Sequence, residues 1–581
     1  MTKIIRYIAI LGTGLFLSGC VSGPDMAPEW ESDVPVEELG SVHIMDNGNR
    51  VILGTEKDVH LLDGTDGSTV VALKESFWDL TLRNIEVPTK VGTFFSSDVI
   101  AGKYDIVPLH RSGVILLLDF RFDTEIVTAL DAQTGEELWQ NERYEYSLGK
   151  YSRFIEKGAS SVGSRLGGLL GADSEEESEE ERRERQVEFM KRVFRESPDG
   201  ELIFFKTFDG LVILKARTGR EVGTVEFSGA GLADVVPLDN GDFLVLSGGS
   251  NLAGLALATG YHLARVSPSG SLVWRADHSG GNTKNLLITG NTVIVNGGPT
   301  EAYDIETGKR LWSNDKVTNG TVYHHLLHDG TALFFGSDLT QTVATIAKSK
   351  IWKQDPRSGA VAWETDERRS EVYGMLKHED SLVVWGYGDF FDDDGWGLIV
   401  VNAESGAEMW RTTDLKAGSG MRSATLTANF TVPVVHDNRL YLADRTALYA
   451  FDIATGAALA TSPYADTPVK RALGVVIHDG TVVLAGTDGV VGYSPDLEQT
   501  QFRTEIEKAT EISVHDQWLV LTNGAQSAQV VNMTTGNASG VVRYRGSTRY
   551  FGDLDGRIFV TDDAEAALSI DNRGTVRRFR F

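Results

Sequence analysis

Apolar residues in this chain fall into short runs of about four to eight, alternating or continuous, and each run is broken by turn-forming residues. In its cleanest form the pattern is a β-rich run, a turn of the type Asp-x-x-Thr-Gly, and a second run ending in Trp. Val127 to Trp139 (VTALDAQTGEELW) and Glu301 to Trp312 (EAYDIETGKRLW) are the best copies. Ile399 to Trp410 and Leu448 to Leu459 are close relatives, and Leu211 to Val222, Val266 to Trp274, Asp355 to Trp363, Val530 to Ser539 and Ile570 to Arg577 are weaker. β-Branched and aromatic residues before the turn favour extended backbone. The Asp or Asn can bond its own backbone two residues on, and the Gly accepts the positive φ that closes the hairpin.

Trp139, Trp274, Trp312, Trp363 and Trp410 each stand four residues after a turn glycine. A period-two strand puts such a residue on a fixed face of its sheet, so a flat ring recurring there suits a seam between neighbouring sheets. Further strand candidates lie between the hairpins, giving about four strands per unit. The turn glycines at 219, 270, 308, 359, 406 and 456 are 38 to 51 residues apart, which is propeller spacing. The expected fold is all-β: a β-propeller of four-stranded blades over residues 45–581. A generous count of turns gives ten or eleven, including poor ones at Asp66-Gly67 and near Asp496. The alternating C-terminal strand Thr575 to Phe581 is expected to close the ring against a strand around Val51 to Leu62.

One segment breaks the pattern. Residues 158–198 read as a flexible and helical insertion: a Gly/Ser-rich stretch, the acidic run Glu175 to Glu181, then a helix over Arg182 to Arg195. Val187, Met190, Val193 and Phe194 form its apolar stripe. That stripe can dock on the propeller's own rim or serve a partner protein.

The N-terminus reads as a lipoprotein signal peptide over residues 1–19. Lys3 and Arg6 precede an apolar stretch too short to span a membrane, which ends in Leu17-Ser18-Gly19-Cys20. This ending resembles the bacterial lipobox and implies lipid attachment at Cys20, the only cysteine of the chain. Residues 20–44 read as the lipidated N-terminus and a tether, with Pro24, Pro28 and Pro35. Val21, where an Asp would retain a lipoprotein in the inner membrane, implies the outer membrane. A formal charge of −27 gives no global attraction for nucleic acid, so none is expected as a partner.

The hairpins and their Trp positions resemble the quinoprotein-like propeller family with PQQ-like repeats, over about residues 45–581 apart from the insertion. That resemblance implies eight blades with Trp packed between neighbours, although a larger ring or two propellers would also hold this number of turns. Together with Cys20, the chain resembles the BamB-type outer-membrane assembly lipoproteins. The implied function is a non-enzymatic periplasmic scaffold that binds an envelope protein complex, in outer-membrane protein assembly, held to the outer membrane by its lipid. A surface-exposed glycan-binding or adhesive lipoprotein is the alternative, for which Phe390, Phe391 and Trp396 would serve. A quinone-dependent dehydrogenase is a further one. Enzymes of that kind commonly carry a disulfide of adjacent cysteines, which one cysteine cannot form, and the chain has no C-x-x-C-H haem motif. Asp392, Asp393 and Asp394 do not follow a helix-loop-helix calcium spacing. The neighbours His324 and His325 face opposite sides of a strand, and the recurring His-Asp pairs, as at His436, His478 and His515, read as turn elements. No catalytic residue, cofactor or metal is therefore expected.

Overall fold

The computed structural model describes residues 25–34, 39–55, 58–73, 87–89, 92–94, 105–120, 125–141, 194–206, 210–226, 232–248, 251–252, 255–256, 261–278, 281–298, 300–314, 324–328, 332–338, 348–388, 396–412, 430–523, 527–543, 558–561, 564–571 and 574–581. The turn-punctuated runs form antiparallel strands, and groups of four make one blade each. Blades 1 to 5 span 39–73, 105–141, 194–226, 232–278 and 281–314. Blades 6 to 10 span 324–364, 368–412, 434–463, 472–505 and 511–543. Blade 11 joins Ile558–Val560, Ala566–Ile570 and Thr575–Arg580 to a fourth strand from the other end of the chain, Trp30–Asp33.

The first strand of each blade lies innermost and the fourth lies on the rim. Middle strands are sandwiched between two neighbouring blades and are apolar on both faces, so Thr481–Gly486 is buried at every position. Rim strands have one neighbour and alternate, as Ala458–Pro463 does. Every interface has its own apolar cluster. Leu116, Val127, Ile203 and Val212 join blades 2 and 3, Tyr441, Leu448, Val482 and Val491 join blades 8 and 9, and Val51, Leu62, Leu568 and Val576 join blade 11 back to blade 1. The ring is therefore continuous.

It has eleven blades rather than eight, and among the described residues there is no α-helix, only a single 3-10 turn at Asp46–Gly48. The difference in number has a physical origin. In most blades the residue four positions after the turn glycine lies on the turn glycine of the next blade. Five of these residues are Trp139, Trp274, Trp312, Trp363 and Trp410, over Gly219, Gly308, Gly359, Gly406 and Gly456. Elsewhere the contact is made without Trp: Val71 lies on Gly135, Phe502 on Gly536, and Gly223 packs backbone to backbone on Gly270. Blade 9 has no glycine in its turn, and Arg439 and Tyr441 of blade 8 instead donate to Pro495 O, each at 2.8 Å. Blades that close without indole are hard to count from sequence. The turn at Gly574 also differs from the others, because it joins the second and third strands of blade 11.

The expected helix across Arg182–Arg195 is corrected at the end that is described. Phe194 opens the innermost strand of blade 3, is buried, and stacks on Phe205 with ring centroids 4.8 Å apart. Val187, Met190 and Val193 lie outside the described residues. Ring closure is also corrected. Thr575–Arg580 pairs with Trp30–Asp33, not with Val51 to Leu62, in the register Trp30↔Arg578 to Asp33↔Thr575. Trp30 then lies on Gly67 and its Nε1 donates to Thr65 O at 2.8 Å, so it occupies the same place as the five seam tryptophans.

The seam yields a paired prediction. Gly308 and Gly480 both have positive φ, but a methyl on Gly308 would come within 2.6 Å of Trp274 Cδ2, while one on Gly480 meets nothing. Gly480→Ala should cost about 1 kcal/mol, the backbone penalty alone, and Gly308→Ala about 3 kcal/mol because overpacking is added. Urea denaturation of the two variants checks this, and equal losses would contradict the seam's role.

Candidate functional site

The two faces of the ring differ in chemistry. The turns between strands one and two, and between strands three and four, all lie on one face, here called the turn face. Long connections leave from the other, the loop face, including 74–104, 142–193, 413–429 and 544–557. In each typical turn of the first kind the Asp or Asn side chain accepts from the turn's own amides. Asp304 Oδ1, for example, accepts from Thr307 N and Oγ1 at 2.8 Å each, and Gly308 N donates to Asp304 O at 2.8 Å. Asp304, Asp355 and Asp452 are held below the usual carboxylate range by hydroxyl and amide donors of their own turns.

Polar side chains stitch the turn face from blade to blade. Glu196 of blade 3 accepts from Arg111 N at 2.9 Å and Ser112 N at 2.9 Å in blade 2. Arg265 of blade 4 donates to Glu306 of blade 5 at 2.7 Å and to Ile305 O at 3.0 Å. Lys353 of blade 6 pairs with Glu404 of blade 7 at 2.7 Å, and His378 Nε2 meets Asn438 Oδ1 of blade 8 at 3.2 Å. The recurring His-Asp pairs are parts of these turns. His436, His478 and His515 end innermost strands, and the Asp437, Asp479 and Asp516 that follow have positive φ. His436 and His478 lie 3.3 and 3.4 Å from the carboxylates of Asp437 and Asp479, and His515 Nε2 lies 3.0 Å from Ser513 Oγ. These pairs are contacts within their own turns and strands, which leaves the loop face as the candidate for binding.

A polar network is buried between blades 4 and 5, toward the loop face. His278 ends the rim strand Leu272–His278, Glu301 and Tyr303 lie in Thr300–Asp304, and Arg310 begins the next strand. The side chains of His278 and Glu301 are 0% and 1% exposed, and Nδ1 lies 2.6 Å from Glu301 Oε2. Tyr303 OH donates to the same oxygen at 2.5 Å, and Arg310 Nη1 donates to Oε1 at 2.8 Å. Burial alone would raise the Glu301 pKa, but bonds from His278, Tyr303 and Arg310 outweigh it and lower the value to about 2. Burial and the adjoining carboxylate push the Tyr303 phenol well above its usual range. The ionised Glu301 pairs with His278 Nδ1, and His278 Nε2 is buried and without a hydrogen-bond partner.

This arrangement can orient an imidazole, but it brings no nucleophile to Nε2. Among the described residues no three His, Cys, Asp or Glu converge as a metal site. Of the residues expected to matter, Cys20 and Asp392, Asp393 and Asp394 lie outside the described residues. Trp139, Trp274, Trp312, Trp363 and Trp410 donate through Nε1 to Ala216 O, Ile305 O, Pro356 O, Ala403 O and Ile453 O of the next blade, at 2.7 to 3.1 Å. Phe194 belongs to a blade core. The sequence reading missed Trp30, whose turn lies in the first blade while its own strand completes the last. It also missed Glu301, although a signal was present. Seven residues before the other turn glycines stand His60, Thr128, Val212, Leu263, Trp352, Ile399, Tyr449 and Gln529, so Glu301 is the acidic residue of that set.

Comparison with known proteins gives a family and a set of distant likenesses. The family model described as outer membrane protein assembly factor BamB matches residues 208–365 and 260–539. No curated protein matches. Similar solved structures include BamB from Moraxella catarrhalis, at 15% identity and a TM-score of 0.30, covering 67% of this chain and 96% of that one. The computationally designed Ika8 protein is 17% identical with a TM-score of 0.32, covering 62% and 100%. A eukaryotic initiation factor is 12% identical with a TM-score of 0.38, covering 61% and 87%.

Two outcomes follow from the buried network. Glu301→Ala strands His278, Tyr303 and Arg310 without their shared acceptor and should cost about 3 to 5 kcal/mol in urea denaturation. Glu404→Ala removes an exposed partner and should cost under about 1 kcal/mol. In acid, carboxylates with lowered folded pKa values contribute stability that is fully present above about pH 4.5 and is lost as pH falls through those values. The denaturation midpoint should therefore hold steady from pH 7 to about 5 and fall below about 4, with Glu301 protonating near 2.

Proposed function

The chain belongs to the family of the outer membrane protein assembly factor BamB, and on that premise we propose that it is a non-enzymatic, lipid-anchored scaffold of the periplasm. It binds envelope proteins through the loop face of its ring and takes part in outer-membrane protein assembly, held at the outer membrane by a lipid on Cys20. The observation that carries this reading is the family match across residues 208–539, which spans most of blades 3 to 10.

The division of the two faces supports it. The turn face spends its polar groups on its own blades, whereas connections on the loop face are free to differ in length. Binding residues are concentrated on loops held by a rigid scaffold. The connection 142–193 leaves blade 2 at Asn141 and returns at Phe194 on this face, next to the rest of the candidate surface.

Crosslinking and affinity purification from membranes test the reading. The full chain should recover a defined set of envelope proteins, including outer-membrane barrel-assembly components. Deletion of 158–190, which spares the blade strand Phe194–Glu196, should lose some of them. Cys20→Ser should move the protein from the membrane to the soluble fraction. Recovery of no envelope partner by the intact, folded chain would defeat the scaffold reading.

A further inference from the structure

We propose that the ring stands on its rim at the junction of blades 10 and 11, with that rim against the phospholipid headgroups of the bilayer that holds the Cys20 lipid. This rests on the lipidation in the preceding reading and adds to it which part of the ring meets the membrane.

The argument starts from where the chain joins the ring. Asp25 bridges Val541 in blade 10, and Met26 N donates to Val541 O at 3.0 Å. The Asp25 carboxylate binds Arg543, whose Nη2 donates to Glu507 at 2.8 Å. Met26 packs beside Val542, Ala567 and Phe579, so it is wedged between the last two blades. Glu29 N donates to Arg578 O at 2.7 Å, and the strand Trp30–Asp33 follows at once. Only residues 21 to 24 separate the lipid-bearing Cys20 from this fixed point. Fully extended, the path from Cys20 to Asp25 reaches about 18 Å.

The ring is much wider than that. Eleven blades at roughly 10 Å per packed sheet place the innermost strands on a circle roughly 35 Å across. Three more strands on each side, at about 4.8 Å each, bring the rim to roughly 60 Å. Blade 5 lies farthest from the junction of blades 10 and 11. A leash of this length cannot bring the blade 5 rim to the membrane by swivelling, so only a ring lying flat could do so.

Charge decides against lying flat on the turn face. Asp304, Asp355, Asp452 and Asp496 there are kept ionised by their own turns, in a chain whose formal charge is −27. That face is repelled by anionic headgroups. The loop face is committed to protein partners in the reading above. The rim at the junction differs, because its charge is largely compensated. Its carboxylates Asp25, Glu29, Glu31, Glu507 and Asp571 are paired with Arg543, Arg577, Arg578 and Arg580 in the third and fourth strands of blades 10 and 11. Arg580 is 68% exposed, with Glu29 at 3.7 Å as its partner. Arginine in such a position suits phosphate oxygens.

Cys20 is the only cysteine, and once acylated it leaves no thiol background. Single variants Asp33→Cys on the blade 11 rim, Leu311→Cys on the blade 5 rim, Ala454→Cys on the turn face and Asp366→Cys on the loop face can therefore be labelled individually with an environment-sensitive fluorophore. The acylated full chain is placed in vesicles of phosphatidylethanolamine and phosphatidylglycerol that carry a headgroup quencher. Quenching is expected at Asp33→Cys, with the other three at the level of quencher-free vesicles. A twenty-residue Gly/Ser insertion after Gly23 should remove the difference. Quenching at Leu311→Cys equal to that at Asp33→Cys, or strong quenching at either face, overturns the proposal while leaving the scaffold reading intact. A chain that takes no acyl label at Cys20 overturns both.

Discussion

The contact on which the ring depends is the meeting of a turn glycine in one blade with the residue four positions past the turn in the blade before it. A hairpin with a positive-φ glycine has no side chain at its apex, so an indole can lie flat on the backbone and hydrogen-bond to a carbonyl of the same turn. Trp274 does both, lying on Gly308 and donating to Ile305 O at 2.8 Å. The contact combines buried area with a directional bond, so it fixes distance and orientation together. Its repetition sets one blade against the next around most of the circle, and the apolar clusters fill in behind it. Where Trp is replaced, the position is filled by what the gap allows, from Phe502 to the bare backbone of Gly223.

Much of this was legible in the sequence, because it is local. The Asp-x-x-Thr-Gly turn, the strand before it and the Trp after it occupy a dozen neighbouring residues, and physics acting within that window gives each its conformation. The number of blades was less legible. Val71 and Gly223 carry no sign of a seam in the sequence, since they fit there only because the next turn is close. Trp30 was hidden for another reason. The turn it rests on is in blade 1, and the strand it pairs with is at the far end of the chain, so nothing nearby marked the segment from Asp25 to Asp33 as structural. Phe194 looked like part of a helical stripe because its spacing from Val187 and Met190 fits a helix. Its burial against Phe205 is a tertiary fact that overrides this local pattern. Glu301 shows that a repeat is also a reference, since an acidic residue seven positions before the turn glycine marks the network with His278 and Tyr303.

The two faces of the ring differ in how their polar groups are used. On the turn face, side chains such as Arg265 and Glu196 bind neighbouring blades and leave little to offer a partner. Long connections, such as 142–193 and 413–429, leave the blades on the loop face. The His278–Glu301 network lies at the outer border of these regions, between blades 4 and 5. There it joins two blades by charge and hydrogen bonds where others are joined mainly by packing.

Closing the last blade with a strand from the start of the chain has a consequence in time. Trp30–Asp33 is among the first segments of the ring to be made, and its partner Thr575–Arg580 is the last. Until the C-terminus arrives, blade 1 has no blade 11 beside it, and every partial ring presents an open flank. Contacts between such distant segments are slow to form, and exposed flanks invite association with other chains. A protein closed in this way is committed late in its own synthesis, so its folding yield should depend on how long the incomplete arc is protected.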